Sequence, residues 1–287
     1  MSVAGTSSAI MGLVVALSAI YGLMIGSFLN VVIYRVPLGT SVVFPPSACP
    51  HCGAAILRRD NVPVLSWLLL RGRCRNCGAP ISPRYLFVEL GTAIFFGVVA
   101  WWVLEAAPAV DGAVSLVSPA IILVAFLYLA AISVALALID IDTHRLPNRI
   151  LLPTYCVAPV LLGAAALLAG EPERLFGALV GGAALFGLYL ALALIRPGGM
   201  GMGDVKLAGV LGCYLGFLGW GALFVGAFAA FLLGGVFSVL LLALRRVGRG
   251  GSIPFGPWML AGAWIGIVAG DALATGYLGL FGLSGIR

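Results

Sequence analysis

The chain has 287 residues, 62% hydrophobic and 9% charged, with a mean hydropathy of +1.15 and a net charge of +6. A soluble domain carries charge on about a quarter of its residues, so this composition excludes one and implies a polytopic membrane protein. The positive balance is no nucleic-acid footprint, because the basic residues are scattered through the breaks between apolar runs, where membrane topology accounts for them.

Eight apolar runs follow one another, at about 8–33, 86–104, 119–139, 150–169, 174–195, 205–219, 221–244 and 257–280. About 20 such residues cross a bilayer; the sixth run is short and Gly-rich. The expected fold is all-α, with about eight transmembrane helices. The first basic residue, Arg35, follows the first run, so no positively charged region precedes it. That run is expected to stay in place with its N-terminus outside. Every Lys and Arg except Arg174 and Arg287 then falls on one face. Glu105, Asp111, Glu171, Glu173 and Asp271 fall on the other. Basic residues mark the cytoplasmic side. The organisation expected is a first span at 1–33, a polar cytosolic domain at 34–85 and a membrane domain at 86–287. Gly177, Gly181 and Gly182, and again Gly209, Gly212 and Gly216, allow close backbone approach between membrane helices.

A polar domain of this size cannot build a sufficient core and needs a staple. Cys49-Pro-His-Cys52-Gly and Cys74-Arg-Asn-Cys77-Gly are two matched knuckles, each followed by a glycine suited to a tight turn. Four thiolates at this spacing fit tetrahedral zinc, and a closed site of four cysteines is structural rather than catalytic. A lone pair could instead serve redox chemistry; two matched pairs on a cytosolic face favour the metal. His51 reads as an exposed loop residue. Cys156 and Cys213 lie in apolar runs and read as small core residues.

Asp140 follows a run without charge and Asp204 precedes another, both at the cytoplasmic edge. An ionisable group there is costly and is a functional candidate by default. The C-terminal end of a helix carries partial negative charge and the N-terminal end partial positive charge. On that basis Asp204, with Lys206 nearby, should ionise more readily and act as a base on water, while Asp140 keeps its proton and polarises a carbonyl. Either aspartate alone would read as a helix-end charge. Asp142 is an alternative to Asp140, and His144 reads as a loop residue.

Together these stretches resemble the bifunctional type IV prepilin peptidases, the membrane aspartyl proteases of pilus and type II secretion systems. Asp140, Ile141, Leu146 and Pro147 match the family's first acidic motif, and Gly201, Gly203 and Asp204 its Gly-x-Gly-Asp motif, with Lys206 following. The block from Gly26-Ser-Phe-Leu-Asn30 to Arg35-Val-Pro37, the two knuckles, and Ser82-Pro-Arg84-Tyr-Leu-Phe-Val-Glu89 stand in the family's order. The resemblance covers nearly the whole chain.

It implies cleavage of a prepilin or pseudopilin after a glycine, on the cytosolic face of the bacterial inner membrane. It also implies methylation of the new N-terminus with S-adenosylmethionine as donor. Asp140 and Asp204 would be the catalytic pair, and Cys49, Cys52, Cys74 and Cys77 the zinc ligands. Asn30, Arg35, Arg84 and Glu89 would serve the donor site or dock the loop. No nucleotide-binding glycine motif follows a strand, so methyl transfer rests on the resemblance alone. A proton-coupled transporter and a membrane thiol oxidoreductase are the competing classes.

Overall fold

The computed structural model describes residues 3–106, 117–196, 199–244 and 253–281. The helices are α1 (Val3–Arg35), α2 (Leu65–Leu69), α3 (Arg84–Ala106), α4 (Val117–Thr143), α5 (Asn148–Ala169), α6 (Pro172–Ile195), α7 (Met202–Leu218), α8 (Trp220–Ala243) and α9 (Gly256–Leu280). Hydrocarbon offers no partner to a backbone amide, so only an element that satisfies its own backbone can occupy it. All eight apolar runs accordingly form helices. Among the described residues, seven helices are long and apolar enough to cross a membrane. The other of the eight, α7, has 17 residues and is shorter than the usual span. It tolerates this because it is enclosed: from Val205 to Phe217 every residue but Lys206 is buried, against α5, α6, α8 and α9.

Two features depart from expectation. α4 continues past the apolar run through Asp140, Ile141 and Asp142 to Thr143. A helix ends where its backbone is diverted, not where polarity changes; here the diversion is His144, at φ 52°, whose N–H still bonds Asp140 O. Cys213 is buried as expected, but Cys156 is exposed on α5 and faces outward. Of the charges assigned to faces above, Asp111, Arg245, Arg246, Arg249 and Arg287 lie outside the described residues.

The chain divides into two compact units. The first holds α1, the polar segment, α3 and residues 126–135 of α4; the second holds the two ends of α4 and α5–α9. In the first, α1 meets α3 at near backbone contact: a Cβ on Gly26 would lie 2.8 Å from Glu89 Cα.

In the second unit, α6 and α7 cross on two rows of glycine. A Cβ on Gly177 would lie 2.5 Å from Gly216 O, and one on Gly181 2.5 Å from Gly212 O. Without a hydrophobic drive between helices in lipid, such close packing is what holds them together. Gly212→Val and Gly216→Val should each destabilise the purified protein, by about 1–3 kcal/mol, in a thermal unfolding assay. Gly187→Val, whose added carbons meet open space, should leave it unchanged.

Candidate active site and metal centre

Asp140 sits in the last turn of α4 and is 4% exposed. A buried carboxylate needs donors. Its donor comes from the far end of the chain: Gly256 N–H, the first residue of α9, reaches Asp140 Oδ2 at 3.0 Å. The first amides of a helix have no partner within it and carry its partial positive charge, so they suit a carboxylate. Pro257, next in α9, removes one orphan amide by having none. Asp140 therefore closes its own helix yet faces the start of another. Gly256 is obligatory there, because an added Cβ would lie 2.8 Å from Asp140 Oδ2.

Asp204 is the third residue of α7. Its Oδ2 accepts the N–H of Gly201, the residue before the helix, at 3.1 Å. Gly201 is extended, at φ −79° and ψ 148°; the pattern is half of a capping box, with the side chain reaching back one turn. Asp204 is half-buried.

The two carboxylates are close enough to interact electrostatically. Leu146 lies between the glycine before Asp204 and the glycine that supports Asp140: a Cβ on Gly203 would lie 2.9 Å from Leu146 Cβ, and one on Gly256 3.3 Å from Leu146 Cδ2. Pro147 stands directly before α5, at φ −71°. Lys206 does not form an ion pair with Asp204 among the described residues; its Nζ donates to Asn148 Oδ1 at 2.9 Å. Tyr155 of α5 donates from its hydroxyl to Lys206 O at 2.6 Å, in space left by Gly209. Asp142 is exposed.

An aromatic cluster backs the pair. Tyr189, near enough to Asp204 to feel its charge, stacks on Phe231 at 5.3 Å and on Phe255, the residue before Gly256, at 6.3 Å. Gly256, Asn148 and Tyr155 were not singled out from sequence. A glycine wedged before Pro257 at the head of an apolar run was the one available signal. Gly198, in the glycine-rich stretch before α7, lies outside the described residues.

In the first unit, the Sγ atoms of Cys49, Cys52, Cys74 and Cys77 all lie within 4.8 Å of one another. The knuckles are near copies. Gly53 and Gly78 both take φ 69°, and their N–H groups bond Cys49 O and Cys74 O, both at 2.9 Å. Cys49 Sγ and Cys77 Sγ are 3.8 Å apart, the edge of a tetrahedron whose arms are about 2.3 Å, the usual zinc–sulfur bond. The donor set and spacing therefore fit one tetrahedral ion. His51 is exposed beside it. Arg75, inside the second knuckle, grips Asp60 with two hydrogen bonds of 2.8 and 2.6 Å.

Of the remaining candidates, the side chains of Asn30, Arg35 and Glu89 bind backbone. Asn30 Nδ2 donates to Tyr85 O at 3.2 Å. Arg35 donates to Ser41 O at 3.0 Å. Arg84 opens α3, its N–H on Ser82 Oγ at 3.2 Å. Glu89, 8% exposed, accepts Val64 N–H at 2.7 Å.

Fold and site together define a class: a multi-pass helical membrane protein with paired aspartates at helix ends in one unit and a four-cysteine cluster in the other. Residues 20–103 match the model of the bacterial peptidase A24 N-terminal domain, and residues 126–239 that of the type IV leader peptidase family. Relatives that bear the name prepilin leader peptidase/N-methyltransferase match most of the chain. That of Aeromonas hydrophila is 36% identical, with 90% of this chain and 92% of its own covered. That of Pseudomonas aeruginosa is 34% identical, with 90% and 91% covered, and that of Bacillus subtilis 32% identical, with 90% and 96% covered. The chain belongs to the type IV leader peptidase family. It is a multi-pass protein of the bacterial inner membrane, and nothing in these matches favours a transporter or an oxidoreductase. No solved structure matches it.

Gly256→Ala should push Asp140 off its donor, slow hydrolysis about a hundredfold, the usual loss for a displacement near 1 Å, and lower the unfolding temperature, because it leaves a buried carboxyl without its amide. The Arg75 guanidinium holds the Asp60 carboxyl below its ordinary pKa. That pair's contribution to loop stability is therefore complete above the ordinary carboxylate range and is lost as pH falls through the lowered value. Hydrogen exchange over residues 58–77 should show this acid-side loosening, and Asp60→Asn should abolish the difference.

Proposed function

We propose that this chain cleaves the basic leader from type IV prepilins or related pseudopilins and then methylates the new N-terminus. The convergence of Asp140 and Asp204, each with one oxygen on a backbone amide and both at helix ends beside the headgroups, carries this reading. A prepilin presents a charged leader ahead of an apolar helix, so its scissile peptide reaches the same depth.

The chemistry follows from a shared water. Asp204, the more accessible, takes a proton as the water oxygen attacks the scissile carbonyl carbon. Asp140 gives its proton to the carbonyl oxygen. On collapse Asp140 recovers a proton from the hydroxyl, the C–N bond breaks, and Asp204 returns its proton to the leaving amine. The protons belong to the pair, so the pH–rate profile should be bell-shaped. The negative charge of Asp142 and Asp204 gives a basic leader a local target on a face that is basic in bulk.

Cys49, Cys52, Cys74 and Cys77 would hold zinc, which staples the 34–85 domain and, with four ligands, takes no part in hydrolysis. The methyl group would come from S-adenosylmethionine and pass from its sulfonium to the freed amine. Because Asn30, Arg35 and Glu89 bind backbone, we assign them to docking the loop. The N-terminus lies outside, and the dyad and the cysteine loop face the cytoplasm.

In purified protein mixed with a prepilin peptide, Asp140→Asn and Asp204→Asn should each abolish cleavage while keeping the fold, since Asn retains the accepting oxygen. Full cleavage by either variant would overturn the assignment. Cys52→Ser with Cys77→Ser should lose bound metal, measured by mass spectrometry, and methyl transfer from labelled donor, while cleavage persists.

A further inference from the structure

α2 is inside out. Its polar residue Ser66 is 8% exposed, whereas Leu65, Leu68 and Leu69 are 58%, 54% and 83% exposed. Single exposed leucines are ordinary; three on one five-residue helix, in the polar segment of the chain, require an apolar neighbour.

The orientation is built rather than loose. Ser66 Oγ donates to Arg59 O at 3.1 Å and accepts Val62 N–H at 3.0 Å, which accounts for its burial. Val64, before the helix, takes φ 62°, a costly conformation for a β-branched residue. Its N–H is held there by Glu89. At the other end, Trp67 Nε1 donates to Ile81 O at 3.3 Å, and Gly72 packs beneath the Trp67 ring. Both anchors belong to α3 or its approach. Glu89 lies five residues into α3, about 7.5 Å along its axis at 1.5 Å per residue. α3 is a membrane span, so α2 starts level with the depth at which α3 enters the bilayer. Arg58 and Arg59 precede α2 and Arg71 and Arg73 follow it, all exposed.

We infer that α2 is an interfacial anchor that binds anionic phospholipid, with Leu65, Leu68 and Leu69 among the acyl chains and Arg71 and Arg73 on the lipid phosphates. The depth set by Glu89 supplies the bilayer, and the flanking arginines select negatively charged headgroups over neutral ones. The four-cysteine domain is thereby held against the membrane surface by lipid as well as by α3. This inference needs only the spans, and is independent of which peptide the protein cleaves.

The test uses the full chain in vesicles of phosphatidylcholine mixed with phosphatidylglycerol, with photoreactive benzoylphenylalanine in place of Leu69 or, as control, Asn76. Irradiation should give phospholipid adducts from position 69 and none from 76. Arg71→Gln with Arg73→Gln should remove the excess of phosphatidylglycerol over phosphatidylcholine in those adducts. In the unsubstituted protein, amides 65–70 should exchange more slowly in these vesicles than in vesicles of phosphatidylcholine alone. Adducts from position 69 only to a second copy of the chain or to added substrate peptide, equal lipid adducts at both positions, or exchange indifferent to lipid charge would each overturn it.

Discussion

The site in the second unit depends on one contact, the amide at the head of α9 on the carboxyl at the foot of α4. A carboxylate this deeply buried costs several kcal/mol unless it is hydrogen-bonded or paired. A helix entering hydrocarbon has the complementary difficulty, several N–H groups without partners. Placing one against the other relieves both. The contact also dictates composition: a Cβ on residue 256 would lie 2.8 Å from Asp140 Oδ2, so one of them must shift.

The same device recurs at Asp204 with a different helix. There the carboxylate caps the helix that bears it, whereas Asp140 caps one that begins 116 residues later. Asp140 stands at the C-terminal end of α4 and Asp204 at the N-terminal end of α7, as their places in the sequence imply, but Asp140 also meets the first amide of α9, which offsets the opposition of helix ends. What distinguishes them is access: Asp140 is enclosed and Asp204 is half-buried. The proposed division of labour rests on that difference.

The spans were legible because hydrocarbon permits almost no alternative to a helix, and their boundaries followed the apolar runs to within a few residues. The cysteine cluster was legible because knuckle geometry is local: Gly53 and Gly78 each close a turn on the residues just before them. Gly256 and α2 were not, and Leu146 was legible only as a motif residue, without its contacts. Each owes its position to a group remote in sequence, Gly256 to Asp140, Leu146 to Gly203 and α2 to Glu89. A positive φ at Val64 contradicts local propensity, so nothing near it in the chain announces the turn.

Leu146 explains how so short a connection fixes the geometry of the pair. Between Thr143 at the end of α4 and Asn148 at the start of α5 the chain has four residues. His144 is confined to positive φ, Pro147 is confined by its ring, and Leu146 is wedged between Gly203 and Gly256. Leu146 therefore fills the space between the heads of α7 and α9, in a region where close packing transmits displacement rather than absorbing it. Shortening Leu146 would let the starts of α7 and α9 drift together, and enlarging it would part them. In both cases the aspartates would keep their own hydrogen bonds and lose their common distance. The family motif that begins at Asp140 reaches its proline through this residue, and spacing the dyad is a physical reason for a bulky aliphatic side chain at that place.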